Sequence, residues 1–569
     1  MTIKRKRLLL GAAALAASVA IALTGCSSSG SGSTAGGSGA ASSTVTLFNG
    51  SVGNFTENFN PWLTTGAELQ PTQGVIYETL FYYNMSRSQA PVPLLGTKYS
   101  WNSDGTQLTV DVRQGAKWSD GSALTAADVA WTLNHYESTP ALNTLGTTWT
   151  TKQSGNTVVL TFPSTSFTLE PQILGNIAIV PEKIWSKIPD VLKTTNTNPV
   201  GSGPYMLKTF TPQSYTLQKN PHYWGTGSDA PKIETVRYIS LANADAATSA
   251  LESGQVDWMG GYLPTLKNIV KQHPNLSYVN TADSTTALVT CSNASMGCTG
   301  PQTDPAVRQA IYYAMDRTQL NKQALNGFGE QGSPSLLVPA VNSKWVADKA
   351  NATLPSGADV AKAKSLLQAA GWTLGSNGYF SKGGQELDMT VNVVSGWTDY
   401  DTDCTLLKGQ LAKAGINLTV NQVAQNAWSN SETTGKFQLS LNSVNPGASA
   451  SPYYIYNNYL STAATAKVGA SAATNTSRFS DPTVDATLKK LASTNPNDTA
   501  AMLQGYGTIQ SAIVKDMPII PIYVNQALTE FNNTHATGWP SASDLYAFPE
   551  PWKSWDSGIV LKTIRPVSK

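Results

Sequence analysis

Residues 27–43 contain only Ser, Gly, Ala and Thr. Such a segment has nothing to bury, so it behaves as a flexible coil and takes no part in a core. It therefore divides the chain. Ahead of it, Lys4, Arg5, Lys6 and Arg7 precede a nearly unbroken apolar run from Leu8 to Leu23. A basic stretch followed by so short an apolar one reads as a secretory signal rather than a membrane span. Residues 1–25 are expected to be a signal peptide and 26–43 a tether. Whatever folds lies beyond the tether, outside the cytoplasm.

A plain secretory signal ends in an A-x-A-like site. Here the apolar run ends in Leu23-Thr24-Gly25-Cys26, which resembles the bacterial lipobox. That resemblance implies cleavage before Cys26, with acylation of its thiol and of the new amino group. Several acyl chains anchor stably where one is marginal. The expected location is the extracytoplasmic face of the cell membrane, reached through the lipid anchor alone.

The 569-residue chain carries a formal net charge of +2. Removing the four positive charges of the signal peptide leaves −2. Only 13% of residues are charged, and no basic stripe of the kind nucleic acid requires is present. The body is too long for one small core, so two or three lobes are expected. No later apolar run is long enough to cross a bilayer. Cys291 and Cys298 lie close together in a compartment that permits disulfides, and they are expected to pair. Cys404 is then left over, buried and inert. His135, His222, His273 and His535 are scattered and no metal-binding spacing occurs, so neither metal nor cofactor is expected.

Helix and strand signals alternate along the body. Thr125 and Asp128 form a capping box ahead of Val129, Leu133 and Tyr136. Asp304-Pro305 starts a helix whose stripe holds Val307, Ile311 and Met315. Asp359 starts another, which Gly371 stops. Leu407, Leu411 and Ala414 form a third stripe, ended by Gly415 and followed by the strand-like INLTV. Met502, Tyr506, Ile509 and Ile513 form a fourth. MPIIPIYV then reads as a strand with Pro518 and Pro521 at an edge or entry. The pattern argues for α/β lobes. GFGEQG at 327–332 satisfies G-x-G-x-x-G but follows a helix, where the dinucleotide fingerprint must follow a strand. Gly327 reads as a helix stop. No spacing singles out a catalytic pair, so no enzyme is expected.

Several phrases, in order, resemble family 5 extracellular solute-binding proteins of bacterial ABC importers, the peptide, nickel and oligosaccharide type. They are IYETLFYYN (76–84), WNSDGTQLTVDVRQGAKWSDGSALTAADVAWTL (101–133), NPVGSGPYMLKTF (198–210), KNPHYWG (219–225), ALESGQVDW (250–258), DPAVRQAIYYAMDRTQL (304–320) and DVAKAKSLLQAAGW (359–372). The resemblance implies a periplasmic-binding-protein-like fold of type II, two α/β lobes around a ligand cleft plus an extra domain on the N-terminal side. It implies a first lobe from 44–75, 200–298 and 528–569, the extra domain from 76–199, and the second lobe from 299–527. Closure of the lobes would bury a solute and present it to permease subunits. Most of the shared residues have structural explanations. Gly201, Gly203 and Pro204 suit a turn, Trp118, Asp120 and Gly121 a hairpin, and Tyr223 and Trp224 a core.

Peptide binders of the family often carry an acid after a Phe-Asp-like strand of the second lobe. The corresponding stretch here, 437–456, contains no Asp or Glu. An ammonium buried there would lack a counter-charge. VDWMGGYLP (256–264), VSGWTDYDTD (394–403) and GWPSASDLYAFPEPWKSW (538–555) are instead similar to the branch that binds cello-oligosaccharides. Sugar rings present hydroxyls and flat apolar faces, which Asn and Trp match. The candidate ligand residues are Trp397, Trp258, Trp539 and Asn445, then Asn49 and Trp62. An oligosaccharide is favoured, and an oligopeptide is the alternative.

Overall fold

The computed structural model describes residues 43–63, 69–143, 145–263 and 265–567. The signal peptide, Cys26 and all but the last residue of the tether lie outside the described residues. Ser42–Lys569 forms one compact unit.

The strands that organise it are β1 (Thr44–Leu47), β2 (Gly96–Trp101), β3 (Gln107–Val112), β4 (Thr150–Ser154), β5 (Thr157–Thr161), β6 (Tyr205–Thr211), β7 (Ser214–Lys219), β8 (Thr235–Ile239), β9 (Trp258–Gly260), β10 (Leu276–Thr290), β11 (Asp388–Val394), β12 (Asn417–Val423), β13 (Leu439–Val444) and β14 (Ile519–Asn532). Ten of them form one sheet in the order β12-β11-β13-β10-β14-β9-β1-β8-β7-β6. β2, β3, β5 and β4 form a separate antiparallel sheet, in that order.

The two long strands β10 and β14 join the ends of the large sheet. They pair with each other antiparallel from Leu276–Asn532 to Val289–Ile519. One half of β10 also pairs with β13, and the opposite end of β14 pairs with β9. The ladder is broken twice. Near its middle, Ala282 faces Gln526 and Ser284 faces Asn525, which leaves Asp283 as an extra residue on β10. Further along, Thr286 faces Tyr523 and Ala287 faces Pro521, which leaves Ile522 as an extra residue on β14. Such a bulge bends a strand and re-aims a side chain.

The helices follow their sequence signals. α1 (Ala126–Ser138) carries the reciprocal Thr125–Asp128 capping box. α2 (Pro305–Ala314) is capped by Asp304 with Pro305 at its first position. It ends before Met315, which is nonetheless fully buried in the same core. α3 (Val360–Ala369) is capped by Asp359. α4 (Thr398–Lys413), α5 (Pro452–Leu460), α6 (Thr499–Asp516) and α7 (Ser554–Thr563) follow. One apolar core packs α2, α3 and α4 against β11–β13, and another fills the β1 end.

Pro521 lies in β14 where β10 is the strand beside it, since β9 reaches only Thr529–Phe531. A missing N–H is tolerated on such an edge. Arg317 Nε and Nη2 cover that edge by donating to the Pro521 carbonyl at 3.2 and 3.0 Å. Gly203 passes so close to Val75 that a Cβ would sit 2.2 Å from its carbonyl oxygen. Cys291 and Cys298 are joined in a disulfide with Cα atoms 5.5 Å apart. Cys404 is free and buried, and burial pushes its thiol well above the usual range. Among the described residues no helix is long and apolar enough to cross a membrane.

Candidate functional site

β11 runs parallel to both β12 and β13. Chain leaving the carboxyl ends of adjacent parallel strands is where open α/β sheets place ligands. β11 ends at Val394, and Ser395-Gly396-Trp397 turns it into α4. Gly396, at φ +90°, takes the left-handed conformation that the turn needs. β13 ends at Val444, and Asn445 follows at once. Trp397 and Asn445 are thus brought together although 48 residues apart in sequence.

They line a recess of about 350 Å³ with Asp283, Ser284, Asp399, Tyr400, Asn442, Ser443 and Asn525. Trp397 is half-buried, edge-on to Tyr400 and Trp428 with ring centroids 5.6 Å away in each case. The Tyr400 and Ser443 hydroxyls share a 2.5 Å hydrogen bond. Asn442 donates to Glu432 at 2.7 Å, and burial lifts Glu432 to about 7. Burial also raises Asp399 above the usual carboxylate range.

Asp283 and Asn445 continue into a second compartment of about 270 Å³, with Phe548, Lys553 and Asp556 on its other side. Ser449, Ala450 and Ser451 lead from there into a third, of about 680 Å³. Its walls come from the β2–β5 region and from α5 and α6. Glu170 anchors the first wall by accepting from Tyr99 at 2.8 Å, Trp101 Nε1 at 2.9 Å and Tyr83 at 3.1 Å. Across the compartment, Tyr454 on α5 donates to the Thr168 carbonyl at 2.6 Å. Shared residues make the three compartments one elongated groove.

The other sequence candidates are not brought to this groove. Trp258 is fully buried in the core at the β1 end, and its Nε1 donates to the Pro549 carbonyl at 2.8 Å. Trp539 lies against it and stacks on Phe531 at 4.9 Å. Trp62 is enclosed by Trp131, His135 and Trp185, and donates to the Ala178 carbonyl at 3.2 Å. Asn49 is buried and accepts from Ser51 at 2.9 Å. Asp283, Asn525 and Lys553 were not singled out in the sequence. They stand on separate elements, and no local pattern distinguishes them. Tyr223 and Trp224 both donate to buried Glu78, at 2.7 and 2.6 Å, which accounts for their phrase structurally. Among the described residues no cluster of His, Cys, Asp or Glu could hold a metal ion.

A family model, that of the bacterial extracellular solute-binding proteins, family 5, matches the chain over residues 90–466. The chain belongs to that family. Family 5 solute-binding proteins are transport binding proteins, not enzymes, and the chain captures solute for an ABC importer. It is 24% identical to a probable peptide-binding protein, YejA, of Agrobacterium fabrum, over 90% of each chain. The periplasmic oligopeptide-binding protein of a Thermotoga maritima ABC transporter superposes with a TM-score of 0.81 at 24% identity, covering 92% of this chain and 99% of that one. The mannohexaose-bound form of that protein superposes with a TM-score of 0.73 at 24% identity, over 93% and 99%. These likenesses establish the periplasmic-binding-protein-like type II fold for this family 5 chain.

Proposed function

We propose that this solute-binding protein takes a neutral oligosaccharide, of the cello-oligosaccharide kind, into the groove and hands it to its permease. The observation that carries the reading is that Asn442, Ser443, Asn445 and Asn525 line one recess with the half-buried Trp397. Amides and hydroxyls match sugar hydroxyls, and an indole face matches a sugar ring. The mannohexaose-bound neighbour lends the reading support from the fold. A β-linked gluco-oligosaccharide should raise the melting temperature, whereas a mixed peptide library should not. At one hundred times its dissociation constant a ligand stabilises the folded state by about 2.7 kcal/mol. Stabilisation by peptides and not by sugars would overturn the reading.

One observation favours the oligopeptide alternative. Asp399 lines the recess, and among the described residues no basic side chain is paired with it. A peptide's amino terminus could meet that charge, although 437–456 holds no acid.

The lobes hinge, in this reading, on β10 and β14. Supporting it is the bulge at Asp283, which breaks the ladder between the ends of the sheet. The boundaries expected at 298 and 527 then shift towards 283 and 525. Lipid attachment at Cys26 completes the reading, with Leu23-Thr24-Gly25-Cys26 as its support. Cys26→Ala should abolish membrane fractionation, and an unacylated mature N-terminus elsewhere in mass spectra would refute it.

A further inference from the structure

Across all three compartments of the groove, the charged lining residues among those described are Asp283, Asp399, Glu170, Asp556 and a single cation, Lys553. That cation is paired, with its side chain 37% exposed. Lys553 Nζ lies 3.1 Å from Asp283 Oδ1 and 4.7 Å from the centre of the Phe548 ring. Despite partial burial, the fields of Asp283, Glu550 and Asp556 hold its ammonium above the usual lysine range. Asp283 meets it because the bulge turns this one extra residue off the β10 ladder and into the groove. Asp283 lines both of the compartments that meet at this point. A solute extending through the groove must pass the pair.

We propose that the Asp283–Lys553 pair makes the groove a charge filter that rejects solutes bearing a negative charge. Among the described lining residues, an anionic group placed here finds no cation that is not already paired with a carboxylate, and it faces further carboxylates on the walls. Like charges brought together in a site that excludes water repel, and such repulsion is how a site rejects a competitor that otherwise fits. Neutral solutes leave the pair intact. The filter rests on the groove being the solute site, and not on the solute being a sugar.

The test uses matched probes on the full folded chain, read by calorimetry. One pair is a gluco-oligosaccharide and its end-oxidised aldonic acid. The other is a peptide amide and the same peptide with a free carboxylate. The charged member of the pair that binds should bind at least about tenfold more weakly. Asp283→Asn frees Lys553 and should close most of that gap. Lys553→Met leaves Asp283 uncompensated and should widen it. Opposite shifts from two changes in one ion pair separate a filter from general damage, and ligand-free melting temperatures check folding.

Equal binding of neutral and charged members by the unaltered chain would overturn the filter, as would a gap unmoved by either substitution. Discrimination within the peptide pair alone would support the filter while removing the sugar reading. Binding of none of the four probes would overturn both.

Discussion

Two groups of tryptophans answer the same composition differently. At the β1 end, Trp258 and Trp539 are enclosed, with their indole N–H groups donating to the Pro549 and Ala536 carbonyls. Trp539 lies nearly parallel to Phe531, with 19° between the rings. At the carboxyl end of β11, Trp397 is half-buried, meets its aromatic neighbours edge-on, and shares its recess with amides and hydroxyls. A satisfied and covered indole has nothing left to offer a solute. One that keeps a free side next to polar groups does. Local sequence does not separate the two, because both follow glycine-containing or strand-like phrases rich in polar residues.

The sharpest way to break this comparison is to remove one member of each group. Trp258→Ala should cost about 3–5 kcal/mol of stability through lost burial and the cavity left behind. Chemical denaturation would measure it, and an unchanged midpoint would mean that the enclosed group is not structural. Trp397→Ala should cost roughly 2 kcal/mol of solute affinity, the scale of a central aromatic anchor. Its ligand-free melting temperature should barely move. A collapse of that temperature would place Trp397 with the core group.

A smaller effect is expected where α5 meets the β2–β5 region. Tyr454→Phe deletes the hydrogen bond to the Thr168 carbonyl, worth about 0.5–1.5 kcal/mol. Solute should then dissociate faster, while association changes little. Stopped-flow traces with unaltered dissociation would show that this contact does not hold the groove closed.

The smallest effect sharpens the comparison through pH. Glu550 sits between Pro549, which accepts from Trp258, and Lys553, which lines the groove. Burial lifts its carboxyl from 4.5 to about 8, against the opposing pull of Lys553. The folded state thus holds this proton more tightly than the unfolded state. The stability that Glu550 contributes is complete below about pH 4.5 and is lost as pH rises through about 8. Glu550→Gln should flatten the decline of melting temperature across that window. A parallel curve, merely displaced, would show that this carboxyl does not titrate there.

Much of the fold was legible because its signals are local. A capping side chain and the backbone N–H it satisfies lie within three residues, so Thr125, Asp304 and Asp359 announced their helices. The helix Arg317–Ala324 stops at the C-cap Leu325, with Asn326 at φ +50° and Gly327 at φ +70° beyond it, so the stop comes just before the glycine that the phrase marked. The cysteines that the structure joins are separated by only seven positions. Pro521 named an edge because a residue without an N–H excludes a central ladder position.

The groove was legible only in part. Trp397, Asn445 and Asp399 stood in phrases already marked, 394–403 and 437–456. Lys553 stood in one too, 538–555, but was not singled out there, and Asp283 and Asn525 stood in none, because what brings these three together is the pairing of β10 with β14 and the return of the C-terminal segment. Those contacts span more than two hundred residues. The burial of Trp258, Trp539 and Trp62 is of the same kind. An indole's side-chain chemistry is identical in a core and in a cleft, so sequence determines that it must be covered, and only tertiary packing decides whether protein or solute does the covering.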